Sequence, residues 1–258
     1  MNSLLVLPHE LRDGGVAVLA GERARYAFDT HGVREGQVLK VAVMDGMRGE
    51  GRILSASSNE VSVQLSLSER GYQPIPVSLI VGVSRPQTIK KVIQAAVMCG
   101  VSSLHFVRSE RGEKSYLQSS SLEEKQIEEE TIKAMEQVWD SRRPEIVVHR
   151  ALSYFMKEKF PKLVDAVGDG EAGGKVLKLL AHPGGAPLTA NDGSRFSSAS
   201  TSMAIGPERG WSDGEVEMFQ EFGFQTIGLG ERVLRVELAL VFLLGQLAIV
   251  RGCGPSAR

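Results

Sequence analysis

The stretch Ile205-Gly-Pro-Glu-Arg-Gly-Trp-Ser-Asp-Gly-Glu215 contains a tight loop between a strand and a helix. The apolar segment before it predicts a strand that ends where the stretch begins. Ser212 and Glu215 have the spacing of a capping box, so a helix should begin there and continue to Gly223. The loop Gly206–Gly210 therefore follows a strand at the end where open α/β sheets bind ligands. The alternative is a simple strand-to-helix connection.

A second loop of this kind lies in Leu229-Gly-Glu-Arg-Val-Leu-Arg-Val-Glu-Leu-Ala239. Phe224–Leu229 has the pattern of a strand, and Val236–Val250 that of a helix with apolar residues on all sides. Such a helix packs in a core or against another subunit. Arg235 and Glu237 stand at its start, and a charged pair beside so apolar a segment needs partners or a function. A helix-capping glutamate beside a surface arginine is the alternative.

A third glycine-bearing loop, Leu180-Ala-His-Pro-Gly-Gly185, follows the predicted strand Val176–Leu180. His182 alone is compatible with a structural or a catalytic role. The three loops matter together, because the carboxyl ends of parallel strands meet at one edge of a sheet. The sequence therefore predicts a binding site where the three loops converge.

The segment Gly168-Asp-Gly-Glu-Ala-Gly173 matches the pattern G-x-G-x-x-G, which binds dinucleotides in some α/β proteins. That site requires a phosphate-binding helix directly after the glycines. Here Lys175–Leu180 is a short apolar run that ends in His-Pro-Gly, too brief for such a helix. We therefore predict a plain loop, and a dehydrogenase is the least favoured of the functions considered.

The N-terminal part of the chain has the pattern of β-structure. Val38–Val43 and Gly51–Leu54 are short β-prone runs, and Glu60–Leu65 alternates polar and apolar residues with a period of two. Asp45-Gly46 lies between two of these runs as a hairpin signal. Gln73-Pro-Ile-Pro76 then interrupts the pattern. We predict one domain over residues 1–74 and a second over residues 75–258.

After this boundary strands and helices alternate. Val77–Val83 is a continuous apolar run, as in a buried parallel strand. Pro86 opens a helix that should reach Met98, and a long polar helix should span Leu122–Trp139. Further strands are predicted at Leu104–Val107, Ile146–Val148, Leu163–Val167, Val176–Leu180 and Ser202–Ile205, with a helix near Ala151–Phe160. This order predicts an α/β domain around a mostly parallel sheet.

The composition is that of an ordinary folded protein and excludes a disordered or collagen-like chain. Apolar residues make up 42% and charged residues 24% of the 258 residues. The two cysteines, Cys99 and Cys253, have neither metal-ligand spacing nor the pattern of a disulfide framework, so a reducing cytoplasm fits best. Met1–Leu7 lacks the pattern of a secretory signal, and Leu238–Val250 is short for a membrane span.

The net charge is −1, so no overall positive field indicates a nucleic-acid partner. One region is locally basic, because six cations between residues 85 and 114 are accompanied by only two glutamates. The cations are Arg85, Lys90, Lys91, Arg108, Arg111 and Lys114. The glutamate-rich run over residues 123–130 offsets this charge and is most simply explained as a solvated helix face.

Taken together, these segments resemble the 16S ribosomal RNA uracil-N3 methyltransferases, a family of the knotted SPOUT type. Members carry Ile-Gly-Pro-Glu-Gly-Gly before a helix, which corresponds here to Ile205–Gly210. They also carry Leu-Gly-x-Arg-Ile-Leu-Arg-x-Glu-Thr-Ala near the C-terminus, which corresponds to Leu229–Ala239. Weaker similarities lie at His182-Pro183, Ser84-Arg85, Ser109-Glu110-Arg111 and Arg142-Arg143-Pro144-Glu145-Ile146. The likeness covers nearly the whole chain.

The resemblance implies an S-adenosylmethionine-dependent RNA methyltransferase, with a PUA-like β-barrel before a knotted α/β domain. It also implies a deep trefoil knot, which is rare in proteins, and a homodimer whose interface includes the last helix. The implied partner is 16S ribosomal RNA of the small ribosomal subunit; no metal and no membrane are implied. The cofactor-binding residues it implies are Leu180, His182, Pro183, Ile205, Gly206, Pro207, Glu208, Gly210, Leu229, Gly230, Val233 and Leu234.

The chemistry of N3 methylation suggests roles for the charged residues. A sulfonium methyl is already a strong electrophile, so alignment with the attacking nitrogen is the main task. Uracil N3 loses a proton, and Arg235 could stabilise the developing negative charge while Glu237 orients Arg235 or helps to carry the proton away. The target base would have to leave its stack. The arginines expected to bind RNA are Arg85, Arg108, Arg111, Arg143 and Arg209.

Four departures from the family pattern bear mainly on the substrate. Arg209 replaces the second glycine of the first loop, and Leu238 replaces the usual threonine. Pro86-Gln-Thr stands where a basic stretch is usual, and the barrel's His-x-x-Val-Leu-Arg pattern is missing around Arg25–Val33. Two alternatives therefore stay open: a related enzyme that methylates another nucleotide, and a non-catalytic RNA-binding or ribosome-assembly factor.

Overall fold

A computed structural model describes residues 3–168, 176–189 and 200–252 of the chain. By its internal contacts the chain divides into two compact units. The first comprises Met1–Pro74 and Glu129–Arg143, and the second comprises Ile75–Glu128 and Pro144–Arg258. The division between Pro74 and Ile75 lies where the sequence pattern changes, whereas Glu129–Arg143 groups with the first unit rather than with the residues around it.

The first unit contains one sheet of six strands in the order β1-β4-β5-β6-β3-β2. The strands are β1 (Leu4–Val6), β2 (Leu11–Arg12), β3 (Val16–Ala20), β4 (Val38–Val43), β5 (Met47–Ala56) and β6 (Glu60–Arg70), and α1 (Gly21–Arg25) follows β3. All neighbours are antiparallel except β1 and β4. The alternating pattern of β6 buries Val61 and Val63, as its period of two predicts. Asp45 adopts a positive φ of 57° between β4 and β5, in line with the hairpin signal.

The end of a long helix, α3 (Glu124–Val138), completes the first unit. The side chain of Glu136 accepts a hydrogen bond from the backbone N–H of Leu5 at 3.2 Å. The indole Nε1 of Trp139 donates to the carbonyl of Val41 at 2.9 Å, and the guanidinium of Arg48 lies 4.4 Å from the centre of the Trp139 ring. These contacts to β1, β4 and β5 explain why a segment distant in sequence belongs to this unit.

Glu136 is a buried carboxyl group with an altered affinity for protons. Its residue is 5% exposed, and burial raises its pKa to about 7, although the positive charge of Arg23 opposes the rise. Arg23 itself is held by Glu10, whose Oε1 lies 2.7 Å from its Nε. A raised carboxyl pKa means that the folded state binds the proton more tightly than the unfolded state, so Glu136 favours folding at low pH and this contribution is lost as pH rises through 7.

We predict that Glu136→Gln stabilises the first unit increasingly as pH rises from 5 to 8, by on the order of 1–3 kcal/mol at pH 8. The amide keeps the acceptor for Leu5 and removes the buried negative charge. Urea unfolding followed by Trp139 fluorescence, in a Trp211→Phe background, measures the difference. Glu128→Gln, an exposed position of the same helix, is the control. Parallel pH profiles for Glu136→Gln and its parent would contradict the prediction.

The second unit contains six parallel strands in the order β12-β10-β11-β7-β8-β9. The strands are β7 (Ile75–Gly82), β8 (Val101–Val107), β9 (Glu145–His149), β10 (Leu177–Ala186), β11 (Thr201–Ile205) and β12 (Gln225–Ile227). The helices are α2 (Pro86–Met98), α4 (Leu152–Tyr154), α5 (Phe160–Gly168), α6 (Asp213–Glu221) and α7 (Val236–Val250), with a π-helical turn at Phe155–Lys159. The expected α/β architecture around a parallel sheet is confirmed.

The strand predicted at Leu163–Val167 is wrong, because these residues belong to α5. Phe160, Leu163 and Val164 follow the spacing of one helix face, and all three pack on the core cluster that contains Leu180 and Phe219. A short apolar run does not by itself distinguish a buried strand from a buried helix. Here the helical turns before Leu163 continue directly into the apolar run, and its packing against the core selects the helix.

The bounds of β10 and β12 also differ from the sequence predictions. β10 continues through His182–Gly185 to Ala186, and its pairing with β12 is irregular between Ala181 and Ala186. β12 is shorter than the predicted Phe224–Leu229. The G-x-G-x-x-G match at Gly168–Gly173 lies, beyond its first glycine, outside the described residues.

The last helix, α7, is not buried on all sides in the single chain, so packing of its remaining apolar face against another subunit stays a prediction. Leu240, Leu243 and Leu247 are buried. Leu238, Val241, Phe242 and Ile249 are instead 46–77% exposed. Their spacing places them along one side of the helix. The helix therefore buries one face and presents a second apolar face to solvent.

A chain of polar side chains runs across β7, β8 and β9. Ser103 Oγ donates to Ser78 Oγ at 2.9 Å, His105 Nε2 lies 3.2 Å from Ser103 Oγ, and His105 Nδ1 lies 3.3 Å from His149 Nε2. Burial first, and the neighbouring His149 second, lower the pKa of His105 to about 4. His105 is therefore neutral at pH 7, and hydrogen bonds satisfy both of its ring nitrogens.

Among the residues that the structure describes, no helix is long and apolar enough to cross a membrane.

Candidate functional site

A cavity of about 620 Å³ lies at the carboxyl edge of the parallel sheet. Its walls come from the segments after three adjacent strands: Ala181–Gly184 of the extended end of β10, Ile205–Trp211 after β11, and Leu229–Val236 after β12. The three glycine-bearing segments therefore converge, as their positions in the sequence predict. The loop after β8 adds Arg111.

Most of the residues singled out from the sequence line this cavity. They are His182, Pro183, Ile205, Gly206, Pro207, Glu208, Arg209, Gly210, Leu229, Gly230, Val233, Leu234, Arg235 and Arg111. Sequence reasoning missed other lining residues, namely Ala181, Gly184, Trp211, Glu231, Arg232, Val236 and Ala239. All of these are neighbours of the chosen residues, so only their place in the same segments could have indicated them.

Five of the chosen residues lie outside the cavity lining. Leu180 is fully buried in the hydrophobic core. Glu237 is buried beside Arg235. Arg85 is exposed at the start of α2, and Arg108 exchanges backbone hydrogen bonds with His149 and Leu152. Arg143 belongs to the first unit, where its Nε lies 2.8 Å from Asp45 Oδ2.

Two glycines allow the ends of β10 and β12 to touch. A Cβ atom on Gly185 would lie 2.4 Å from the carbonyl carbon of Ile227, and one on Gly228 would lie 2.0 Å from the carbonyl oxygen of Gly185. Any side chain at either position would displace the facing backbone. Gly228 N–H also donates to Ala186 at 3.0 Å. This contact between backbones lies directly beside the lining residues Gly184 and Leu229.

The loop after β11 is equally tight. Gly210 N–H donates to the carbonyl of Pro207 at 2.7 Å, and a Cβ atom on Gly206 would lie 2.9 Å from Gly210 Cα. Gly210 has a φ of 68°, a conformation that glycine adopts without strain. Residues Ile205–Gly210 of this compact loop line the cavity, so both its peptide groups and its side chains are near a ligand bound there.

Two glutamates fix this loop to neighbouring elements. Glu208 Oε1 accepts hydrogen bonds from Arg85 N–H at 3.1 Å and from Thr88 Oγ1 at 2.9 Å, and so caps the start of α2. Glu215 Oε1 accepts from Glu110 N–H, and its Oε2 accepts from Ser212 N–H, both at 2.8 Å. The predicted capping box of Ser212 and Glu215 is confirmed. The side chain of Glu208 is thus engaged structurally.

Arg235 and Glu237 form a charged group at the start of α7. Glu237 Oε1 lies 3.5 Å from Arg235 Nε and 3.8 Å from Lys91 Nζ. The Glu237 side chain is 11% exposed, whereas that of Arg235 is 69% exposed. A carboxylate in the first turn of a helix also benefits from the helix dipole. This arrangement suits Glu237 to holding Arg235 at the cavity, where the guanidinium can meet a negative group.

Among the described residues, no group of three or more His, Cys, Asp or Glu side chains is placed to hold a metal ion.

Comparisons with known proteins connect this site to a family. The model of a family described as RNA methyltransferase domain matches residues 72–248, most of the chain. The chain belongs to this family. Its match includes all three segments that form the cavity.

Individual relatives of the chain are named as ribosomal RNA methyltransferases. The chain is 28% identical over 233 residues to ribosomal RNA small subunit methyltransferase E of Treponema pallidum, covering 87% of this chain and 82% of that one. It is 23% identical over 238 residues to the protein of that name from Bacillus subtilis, covering 89% and 88%.

Solved structures have the same fold. A protein from Legionella pneumophila with the bound cofactor SAM matches with a TM-score of 0.75 and 22% identity, covering 96% of this chain and 97% of that one. Ribosomal RNA small subunit methyltransferase E from Neisseria gonorrhoeae, bound to S-adenosyl methionine, matches with a TM-score of 0.71 and 19% identity, covering 97% and 98%. At these identities the likeness concerns the fold: an antiparallel-rich sheet and a parallel α/β sheet in one chain.

We predict that Gly185→Ala destabilises the second unit by about 1–3 kcal/mol, because its Cβ atom would push the Ile227 backbone away. The midpoint of urea unfolding followed by Trp211 fluorescence measures the loss, and amide exchange at Gly228 N–H should accelerate. The matched control is Gly214→Ala in the first turn of α6, where no atom lies within 4 Å of the new Cβ. The control should be neutral or slightly stabilising. Equal effects of the two alanines would disprove the steric explanation.

Proposed function

We propose that this protein methylates N3 of a uridine in 16S ribosomal RNA, with S-adenosylmethionine as the methyl donor, during maturation of the small ribosomal subunit. The observation that carries the proposal is the cavity formed by three glycine-bearing segments. Membership of an RNA methyltransferase family supports the type of reaction. The names of the relatives support the choice of RNA.

The cavity suits the proposed cofactor. Its volume of about 620 Å³ is within the range of small-molecule sites. Peptide groups of Ile205–Gly210 and Leu229–Leu234 are available to an adenine edge, and apolar side chains such as Leu229, Val236 and Ala239 are available to its rings. When bound, S-adenosylmethionine supplies an electrophilic methyl group. The residues of the chain then have to hold the acceptor base in line and keep water away.

Arg235 and Glu237 are the residues we propose for the chemistry. Arg235 lines the cavity and would stabilise negative charge on the ring as the N3 proton leaves. Glu237 would act as a positioning residue, since its carboxylate lies between Arg235 and Lys91 and not on the cavity wall. Lys91 Nζ lies 3.8 Å from the same carboxylate and would help to hold Glu237, and through it Arg235, in place.

The remaining family properties are proposals of the same kind. The mostly antiparallel first unit would include the PUA-like RNA-binding domain predicted over residues 1–74, and the trefoil knot would lie in the domain predicted over residues 75–258. Arg85, Arg108, Arg111, Arg143 and Arg209 would contact RNA. Arg85, Arg111, Arg143 and Arg209 are exposed, which is compatible with that role, whereas Arg108 is half-buried. Ribosomal RNA as substrate would place the reaction in the cytoplasm.

We also propose a homodimer in which the exposed face of α7 is buried. Leu238, Val241, Phe242 and Ile249 form this face. Contiguous apolar side chains that are exposed in a single chain mark an interaction surface. A second copy of the chain could cover them symmetrically, with each helix contributing the same residues.

We predict that Phe242→Glu converts a wild-type dimer into a folded monomer, because the new charge would be buried without a partner. Size-exclusion chromatography with light scattering at micromolar concentration measures the mass, and circular dichroism checks the fold. Leu54→Glu is the matched control, since Leu54 is an apolar residue of β5 with similar exposure. A monomeric wild type, or a dimeric Phe242→Glu variant, would disprove this interface.

The test of the proposed function is mass-spectrometric mapping of methylated uridine in 16S RNA from a deletion strain, with and without complementation. The deletion should remove one N3-methyluridine, and the wild-type gene should restore it. We predict that Arg235→Ala fails to restore it and loses at least about 100-fold in the rate of methyl transfer in vitro, as expected for removal of a group that stabilises transition-state charge.

Calorimetry with S-adenosylmethionine supplies the control for this variant. Donor binding should be retained in Arg235→Ala, because the other residues of the three segments still line the cavity. Unchanged turnover in the variant would remove the assigned role of Arg235. A methyl group lost from another nucleotide of the deletion strain would favour a related enzyme with a different target. A wild-type protein that does not bind the donor would indicate a non-catalytic factor.

A further inference from the structure

Four arginines line the cavity, and two of them are free to receive a ligand. Arg235 lies against Glu237, and Arg111 lies 3.6 Å from Asp213 Oδ1. The side chains of Arg209 and Arg232 form no ion pair or hydrogen bond with any residue in the described part of the chain. Both are exposed. Free guanidinium groups at the edge of a cavity are suited to an anionic partner.

The two free arginines come from segments on opposite sides of β10. Arg209 belongs to the loop after β11, and Arg232 to the segment after β12; both strands are direct neighbours of β10. Adjacent strands lie about 4.8 Å apart, so the two segments leave the sheet about 10 Å apart. The end of β10, with His182 and Pro183, forms the cavity wall between them.

The segment that carries Arg232 extends into solvent, whereas the loop that carries Arg209 is fixed to the protein by a hydrogen bond. Val233, next to Arg232, is 90% exposed, so the tip of that segment stands away from the protein surface. On the other side, the Arg209 carbonyl accepts a hydrogen bond from Arg111 at 3.4 Å. The backbone on the Arg209 side is fixed while its side chain remains available.

The charged residues that line the cavity favour the binding of an anion. The charged lining residues are four arginines and two glutamates, in a chain whose net charge is −1. One of the glutamates, Glu208, is engaged with Arg85 N–H and Thr88 at the start of α2. Positive charge is therefore concentrated at the cavity although the chain as a whole is slightly acidic.

We propose that Arg209 and Arg232 bind backbone phosphates on the two sides of the target nucleotide, so that the base enters the cavity between them over the end of β10. This inference rests on the proposed function, and it adds Arg232 to the RNA-contacting residues and gives Arg209 a specific task. Guanidinium groups pair with phosphate oxygens in a bidentate manner, which orients as well as attracts. Phosphate contacts fix the register of the nucleic acid, and the cavity receives the base.

The same two arginines could instead bind the carboxylate of the methyl donor, since a carboxylate and a phosphate present similar oxygens to a guanidinium. The two sources of anion predict different measurements. Contacts to RNA phosphates release counterions, so they make the affinity for RNA depend on the salt concentration. Each contact to a single strand contributes about 0.7 to the magnitude of the slope of log K against log salt. A donor carboxylate would instead change the affinity for the donor.

The experiment compares wild type with Arg209→Gln, Arg232→Gln and the double variant. Binding of a uridine dodecanucleotide is titrated over a series of salt concentrations, donor affinity is measured by calorimetry, and methyl transfer is measured on small ribosomal subunits from a deletion strain. We expect the salt slope of the double variant to fall by about 1.4. We expect its KM for subunits to rise roughly tenfold, with a donor Kd within twofold of wild type.

Two variants make the test specific. Arg232→Lys keeps the charge and should retain the salt slope, although it loses bidentate geometry. Lys162→Gln removes an exposed charge of α5 and should leave slope, KM and donor Kd unchanged. An unchanged salt slope in the double variant, or a donor Kd that rises with the loss of Arg232, would overturn the proposal. A wild type without donor binding or turnover would instead overturn the proposed function.

Discussion

The direct contact between the backbones of β10 and β12 is the constraint on which the site depends. Gly185 and Gly228 leave no space for a side chain between the strands. Because the strands approach so closely, the segments that follow them meet at one edge of the sheet and enclose a cavity together with the loop after β11. A methyl donor that must be aligned rather than activated is served well by segments held together this closely.

Side chains around the cavity divide into those that hold the wall and those that face solvent. Glu208 and Glu215 accept hydrogen bonds from backbone N–H groups of neighbouring elements, and so fix the loop after β11. Glu237 instead pairs with the side chain of Arg235, whose Nε lies 3.5 Å from its Oε1. The side chains of Arg209 and Arg232 are left for the substrate. This division reconciles a nearly neutral chain with an anionic substrate, since positive charge is needed only at the edge of the cavity.

Sequence periodicity identified all six strands of the second unit but only β4, β5 and β6 of the first, and it failed where packing decides between alternatives. Leu163–Val167 was compatible with a strand or a helix, and the contacts of Phe160, Leu163 and Val164 with the core select the helix. Glu129–Arg143 looked like part of the second domain, yet Glu136 and Trp139 bond to β1 and β4 of the first unit. Such contacts join residues more than ninety positions apart.

The sequence by itself determined much of the order of strands and helices, the three glycine-bearing segments and the membership of the family, because these depend on local pattern and residue type. Only the tertiary structure decided that Leu180 is core and that Glu237 lies behind Arg235. It also showed that Arg232 lines the cavity without a partner among the described residues. The physical reason is that a side chain's burial and partners depend on which strands become neighbours. No local segment of the sequence specifies the strand order β12-β10-β11.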